Sequence, residues 1–136
     1  MPDPSPSRPP RTVPALFGVV LALPFLGLFL YHPDGAVDLL ALLLALTGGV
    51  YVGAALRHGV GRLVLALEVV MAAWMMVCAA LGLWWAPWWL AVGFTTHGVW
   101  DMVHHPRALD VGVRRWFPPF CAAFDAVVAA LILYFG

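Results

Sequence analysis

The chain alternates between long apolar runs and short polar segments. The apolar runs cover residues 13–31, 39–56, 63–83, 88–104 and 117–135. Each is close to the roughly 17–25 residues that an α-helix needs to cross the hydrocarbon core of a bilayer. The segments between the runs are short and leave no room for an extramembrane domain. The pattern therefore predicts an all-α protein, an integral membrane bundle of five transmembrane helices.

The composition agrees with this prediction. Hydrophobic residues make up 63% of the 136 residues, compared with roughly 45–50% in soluble domains. The formal net charge is zero, so no basic surface is available to bind nucleic acid. We predict a multi-pass protein of the cell membrane, with the lipid bilayer as its partner. Residues 1–11 are rich in proline and predict a flexible cytoplasmic tail, and residues 12–136 predict a single transmembrane domain.

The positions of the cations predict the orientation. All seven are arginines, and with five spans they fall on one side of the bilayer: Arg8, Arg11, Arg57, Arg62, Arg107, Arg114 and Arg115. Positively charged loops stay in the cytoplasm, which places the N-terminus inside and the C-terminus outside, as in a bacterial inner membrane. Trp84, Trp85, Trp88 and Trp89 then form an aromatic belt at the outer interface.

The fourth run carries a stripe of ionisable residues. His97, Asp101 and His104 are spaced i, i+4, i+7 and share one helix face, with His105 beside them. A carboxylate at the centre of a span costs roughly 2.5–3.5 kcal/mol on insertion scales, and such residues normally face the bundle interior and have partners. The predicted topology brings Glu68 of the third run and Asp125 of the fifth run to a similar depth.

Imidazole and carboxylate groups at one depth predict a divalent metal site, for which zinc, iron and manganese are the suitable ions. The predicted ligands are His97, Asp101, His104, His105, Asp125 and Glu68. Glu68 and Asp101 are also the predicted catalytic residues. Tyr51 and His58 of the second run are candidate partners of the ligands. The two cysteines, Cys78 and Cys121, lie in apolar runs and are interpreted as small buried hydrophobic residues.

The site predicts a metal-binding membrane protein. Its first functional hypothesis is a metal-dependent enzyme that acts on a lipid or isoprenoid-like substrate, and the sequence leaves enzymatic activity open. One alternative is a metal-free isomerase or cyclase, in which Glu68, Asp101 and a histidine transfer protons and Trp100 stabilises a developing cation. Another is a non-enzymatic ion or proton conduit, or a subunit of a larger assembly. A purely structural interpretation is that these residues pair helices with one another. In that case His104 and His105 occur there because histidine is favoured at the C-terminal end of a helix.

The stripe has the form H-x2-W-D-x2-H-H, made by His97, Trp100, Asp101, His104 and His105, with Asp125 in the next helix. This pattern resembles a signature of uncharacterised small bacterial polytopic membrane proteins. The resemblance covers the last third of the chain and implies no activity. The histidine-box desaturases have more histidine boxes, and the alkaline ceramidases combine serine with histidine and aspartate, so neither family is indicated.

Overall fold

The computed structural model describes residues 12–105 and 109–136, which form five α-helices. They are α1 (Thr12–Tyr31), α2 (Pro33–His58), α3 (Arg62–Trp84), α4 (Trp88–His104) and α5 (Phe117–Phe135). The prediction of an all-α chain is confirmed. The tail predicted at 1–11 lies outside the described residues, and so does Arg107.

Four of the helices are long and apolar enough to cross a membrane, namely α1, α2, α3 and α5. The chain is therefore a membrane protein. The helix that carries the polar stripe, α4, has 17 residues and is not among these four. At 1.5 Å per residue it is about 25 Å long.

Helix α2 begins six residues before the apolar run that predicts it. It begins at Pro33, with Asp34 in its first turn. Proline suits a first turn because its missing N–H would have no partner there, and the Asp34 carboxylate lies near the positive end of the helix dipole. After His58, Gly59 adopts a left-handed conformation with φ of 63°, which is the usual way for a helix to end. The polar ends of α2 explain why hydropathy predicts a shorter helix.

Helices α1 and α5 run in the same direction. Three ring pairs join them in order along the chain: Phe17 with Phe120, Phe25 with Phe124, and Phe29 with Phe135. The order is the same on both helices. The first and last helices of the bundle are therefore parallel neighbours.

Helices α3 and α4 run antiparallel. Gly82 near the end of α3 packs against Leu90 near the start of α4, and Glu68 of α3 contacts His104 at the end of α4. The two contacts are 14 residues apart on each helix, or about 21 Å at 1.5 Å per residue. Helix α4 thus lies along α3 for most of its own length.

Two groups of buried apolar residues fill the bundle. The larger includes Leu44 of α2, Met75 of α3 and Phe94 of α4. The smaller contains Tyr51, Ala55 and Val111. It lies towards the end of the bundle that carries the described arginines, Arg57, Arg62, Arg114 and Arg115. The buried polar residues occur beside this smaller group.

Candidate metal site

Five acidic and histidine side chains are buried inside the described part of the bundle. Their side chains belong to α3, α4 and α5, and their exposures are 1% for Glu68, 3% for His97, 0% for Asp101, 3% for His104 and 1% for Asp125. All five are predicted site residues. Each faces the bundle interior, where a charged or polar group needs a partner.

His97, Asp101 and Asp125 form one cluster. The Nδ1–H of His97 donates a 2.7 Å hydrogen bond to Oδ2 of Asp125, and the same nitrogen lies 3.5 Å from Oδ2 of Asp101. One turn of α4 separates His97 from Asp101 and puts both on one face. Each residue contributes one potential ligand atom, and these atoms lie within 4.8 Å of one another. The cluster could therefore hold a metal ion.

Gly98 allows α5 to approach this face of α4. A Cβ atom at position 98 would lie 3.4 Å from Cβ of Asp125 and 3.6 Å from Cα of Ala122. A longer side chain would push the two helices apart. Close packing of α4 on α5 thus brings the carboxylate of Asp125 to the imidazole of His97.

Negative charge exceeds positive charge in this cluster when both carboxylates are ionised. Two carboxylates share one imidazole, and no ion pair joins either of them to an arginine in residues 12–105 and 109–136. Oδ2 of Asp101 and Nε2 of His97 are buried without a hydrogen-bond partner there. A buried carboxylate with one oxygen left unpaired is unfavourable. A divalent cation would neutralise both carboxylates, and the donor set of imidazole and carboxylate suits zinc, iron or manganese.

Glu68, Trp100 and His104 form a second group, which is fully hydrogen-bonded. Oε2 of Glu68 accepts from the indole N–H of Trp100 at 2.9 Å, and Oε1 lies 2.9 Å from Nε2 of His104. The Nδ1–H of His104 donates to the carbonyl oxygen of Trp100 at 3.0 Å. Because a carbonyl cannot donate, Nδ1 of His104 carries a hydrogen, and its Nε2 faces the carboxyl group of Glu68.

The structure thus divides the six predicted metal ligands. His97, Asp101 and Asp125 come together, whereas Glu68 and His104 contact each other. His105 belongs to neither group: it is half-buried at the end of α4, and its Nδ1 has no hydrogen-bond partner in the described residues. The sequence predicts the depth of Glu68 but leaves its direction around the bundle axis open.

Tyr51 links the two groups. Its hydroxyl donates to Oδ1 of Asp101, and its ring stacks on the ring of His104 with centroids 4.1 Å apart. The other candidate partner, His58, is exposed and its Nδ1–H donates to the carbonyl oxygen of Ala54. In the sequence the two candidate partners differ in depth, since Tyr51 lies about two helical turns further into the bundle than His58.

Val111 has no counterpart among the sequence predictions. It belongs to the polar loop before α5, yet it is fully buried beside Tyr51 and Ala55. Both cysteines are free: Cys78 is buried in the larger apolar group and Cys121 is half-buried. Cys121 is not part of the three-residue cluster.

No curated protein and no solved structure matches the chain. One family model does match, and it covers residues 13–136. The match is consistent with the predicted resemblance to an uncharacterised family, which was drawn from the last third of the chain, but it does not test H-x2-W-D-x2-H-H as a signature. The chain belongs to the family of unknown function DUF6010.

Proposed function

We propose that this protein is an integral membrane metalloprotein in which His97, Asp101 and Asp125 bind one divalent cation. One observation carries the proposal: two buried carboxylates face a single imidazole, with ligand atoms within 4.8 Å of one another. The arginines that the structure describes contribute no ion pair to them. A cation is the simplest group that compensates both carboxylates.

Three protein ligands are typical of a catalytic metal site. Structural zinc sites use four protein ligands, whereas catalytic sites use three and leave a position for water or substrate. When bound, the ion supplies a Lewis acid that activates water or polarises a substrate oxygen. The hydrogen-bonded pair of Glu68 and His104 lies next to Tyr51, which contacts the cluster. We therefore propose an enzyme in which this pair donates or accepts a proton.

A hydrophobic substrate is supported by a groove between α4 and α5. The groove has a volume of about 510 Å³ and apolar walls, which include Phe94, Gly98, Met102, Ala122, Ala126 and Leu133. Gly98 in its wall lies beside Asp125, because a Cβ atom at position 98 would be 3.4 Å from Cβ of Asp125. The two helices that supply all three ligands thus also form an apolar surface suited to a lipid or isoprenoid-like chain.

The proposed topology has five spans, with the N-terminus in the cytoplasm. Helix α4 is about 25 Å long, close to the roughly 30 Å of the hydrocarbon core, and it lies antiparallel to α3. Arg57, Arg62 and Arg114 lie at one end of the bundle, whereas Trp84 and Trp85 lie at the other. The positive-inside rule then puts the metal cluster in the cytoplasmic half.

A metal-free enzyme that works by acid–base chemistry is the second candidate. It is favoured by the 2.7 Å hydrogen bond between His97 and Asp125, because two ligands of one ion are normally further apart than hydrogen-bonded atoms. In that case Asp101 and Glu68 would transfer protons as general acid and base.

Elemental analysis of protein purified in detergent tests the two candidates. After incubation with Zn²⁺, Fe²⁺ or Mn²⁺ and removal of free metal, the first candidate predicts about one tightly bound ion per chain. Asp125→Asn should lose it. Asp38→Asn is the matched control, since Asp38 is an exposed carboxylate near the start of α2. A wild-type protein that binds none of the three ions would refute the first candidate and leave the second.

A further inference from the structure

The residue that contacts Asp101 most directly from outside α4 is Tyr51 of α2. Its hydroxyl donates to Oδ1 of Asp101, the oxygen that does not face His97. The other oxygen, Oδ2, is buried, has no hydrogen-bond partner in the described residues and lies 3.5 Å from Nδ1 of His97. The two oxygens of one carboxylate are therefore in different environments.

The ring of Tyr51 is held from several sides, so the position of its hydroxyl is fixed. It stacks on His104 at 4.1 Å with an interplanar angle of 23°, and Phe117 lies edge-on at 6.4 Å. The residue is 2% exposed. Ordered aromatic packing of this kind leaves the side chain little rotational freedom.

From this geometry we propose that Tyr51 is a positioning residue that makes Asp101 a one-oxygen ligand. The inference rests on the proposed metal site. The hydrogen bond occupies Oδ1 and fixes the plane of the carboxylate, so that Oδ2 is directed towards His97 and the ion. Without the hydroxyl, the carboxylate is free to rotate and to bind an ion through both oxygens, which raises the coordination number.

The substitution Tyr51→Phe removes the hydroxyl and keeps the ring contacts with His104 and Phe117. Loss of a hydrogen bond to a metal ligand typically lowers metal affinity about 10–100-fold. Tyr134→Phe is the matched control, because Tyr134 is 82% exposed at the far end of α5. Both variants lose one phenol oxygen, but only the oxygen of Tyr51 contacts the cluster.

Titration with Co²⁺ in detergent tests the proposal through affinity and visible absorption. Co²⁺ with few ligands absorbs more strongly than Co²⁺ with five or six, so added coordination by Oδ1 weakens the band. We expect Tyr51→Phe to bind Co²⁺ about 10–100-fold more weakly and with lower molar absorbance, and Tyr134→Phe to match the wild type in both.

Two results would overturn the proposal while leaving the metal site intact. One is unchanged affinity in Tyr51→Phe. The other is weaker binding with an unchanged spectrum, which is what a purely structural role of the hydroxyl predicts. A wild-type protein that binds no Co²⁺, Zn²⁺, Fe²⁺ or Mn²⁺ would instead overturn the proposed function, and this inference with it.

Discussion

The double substitution His97→Leu with Asp125→Leu distinguishes a metal site from a structural hydrogen bond. The two side chains are buried and joined by a 2.7 Å hydrogen bond. Replacing Asp125 alone leaves the Nδ1–H of His97 without this partner, at a cost of about 1–3 kcal/mol. Loss of stability in the single variant therefore fits either interpretation.

The double substitution should change the free energy of unfolding in opposite directions for a structural pair and for a metal site. If the pair is only structural, apolar replacements remove a buried polar pair while Asp101 keeps its hydrogen bond from Tyr51, so the change is neutral or stabilising by about 1–4 kcal/mol. If an ion is bound, two of its three protein ligands are lost. An ion present at 100 times its dissociation constant stabilises the folded state by about 2.7 kcal/mol. The double variant should then be less stable than the wild type by about that amount.

Unfolding in mixed detergent and dodecyl sulfate micelles measures this difference, with and without a chelator, alongside elemental analysis. The control is Trp74→Phe with Thr96→Val, which removes a 3.0 Å hydrogen bond between α3 and α4 outside the cluster. It should keep both the bound metal and the response to chelator. A double variant of His97 and Asp125 that retains full metal content, or that equals the metal-loaded wild type in stability, would refute the metal site.

Three further predictions address other parts of the structure. Glu68→Leu should destabilise the protein more than Glu68→Gln, because it leaves Nε1 of Trp100 and Nε2 of His104 without their partner, at a cost of up to about 1–3 kcal/mol each. Equal unfolding free energies would contradict the hydrogen-bonding assignment. Reporter fusions at Gly59 and after Gly136 should report cytoplasmic and external locations respectively, and the same location for both would contradict a five-span topology. Ala126→Phe should reduce the lipid that co-purifies with the protein in native mass spectrometry, whereas Val70→Phe, on an exposed part of α3, should not; equal lipid retention would argue against the groove as a lipid site.

Hydropathy determined where the helices are, because crossing a bilayer demands long apolar segments whatever the tertiary arrangement. The predicted runs fall within the five observed helices, and only the start of α2 at Pro33 differs by more than two residues. Helix periodicity determined that His97 and Asp101 share a face of α4, since 3.6 residues per turn fixes their angular separation. These features are local and are encoded in short stretches of chain.

The rotation of each helix about its own axis was decided only by tertiary packing. Glu68 and Asp125 have similar predicted depths, yet Asp125 contacts His97 whereas Glu68 contacts His104. Depth follows from the position of a residue along its span, but direction depends on which side of one helix fits which side of the next. Between α4 and α5 the small Gly98 packs beside Asp125 and Ala122. Tyr51 reaches Asp101 from a helix 50 residues away in the chain, and no local periodicity relates residues so far apart.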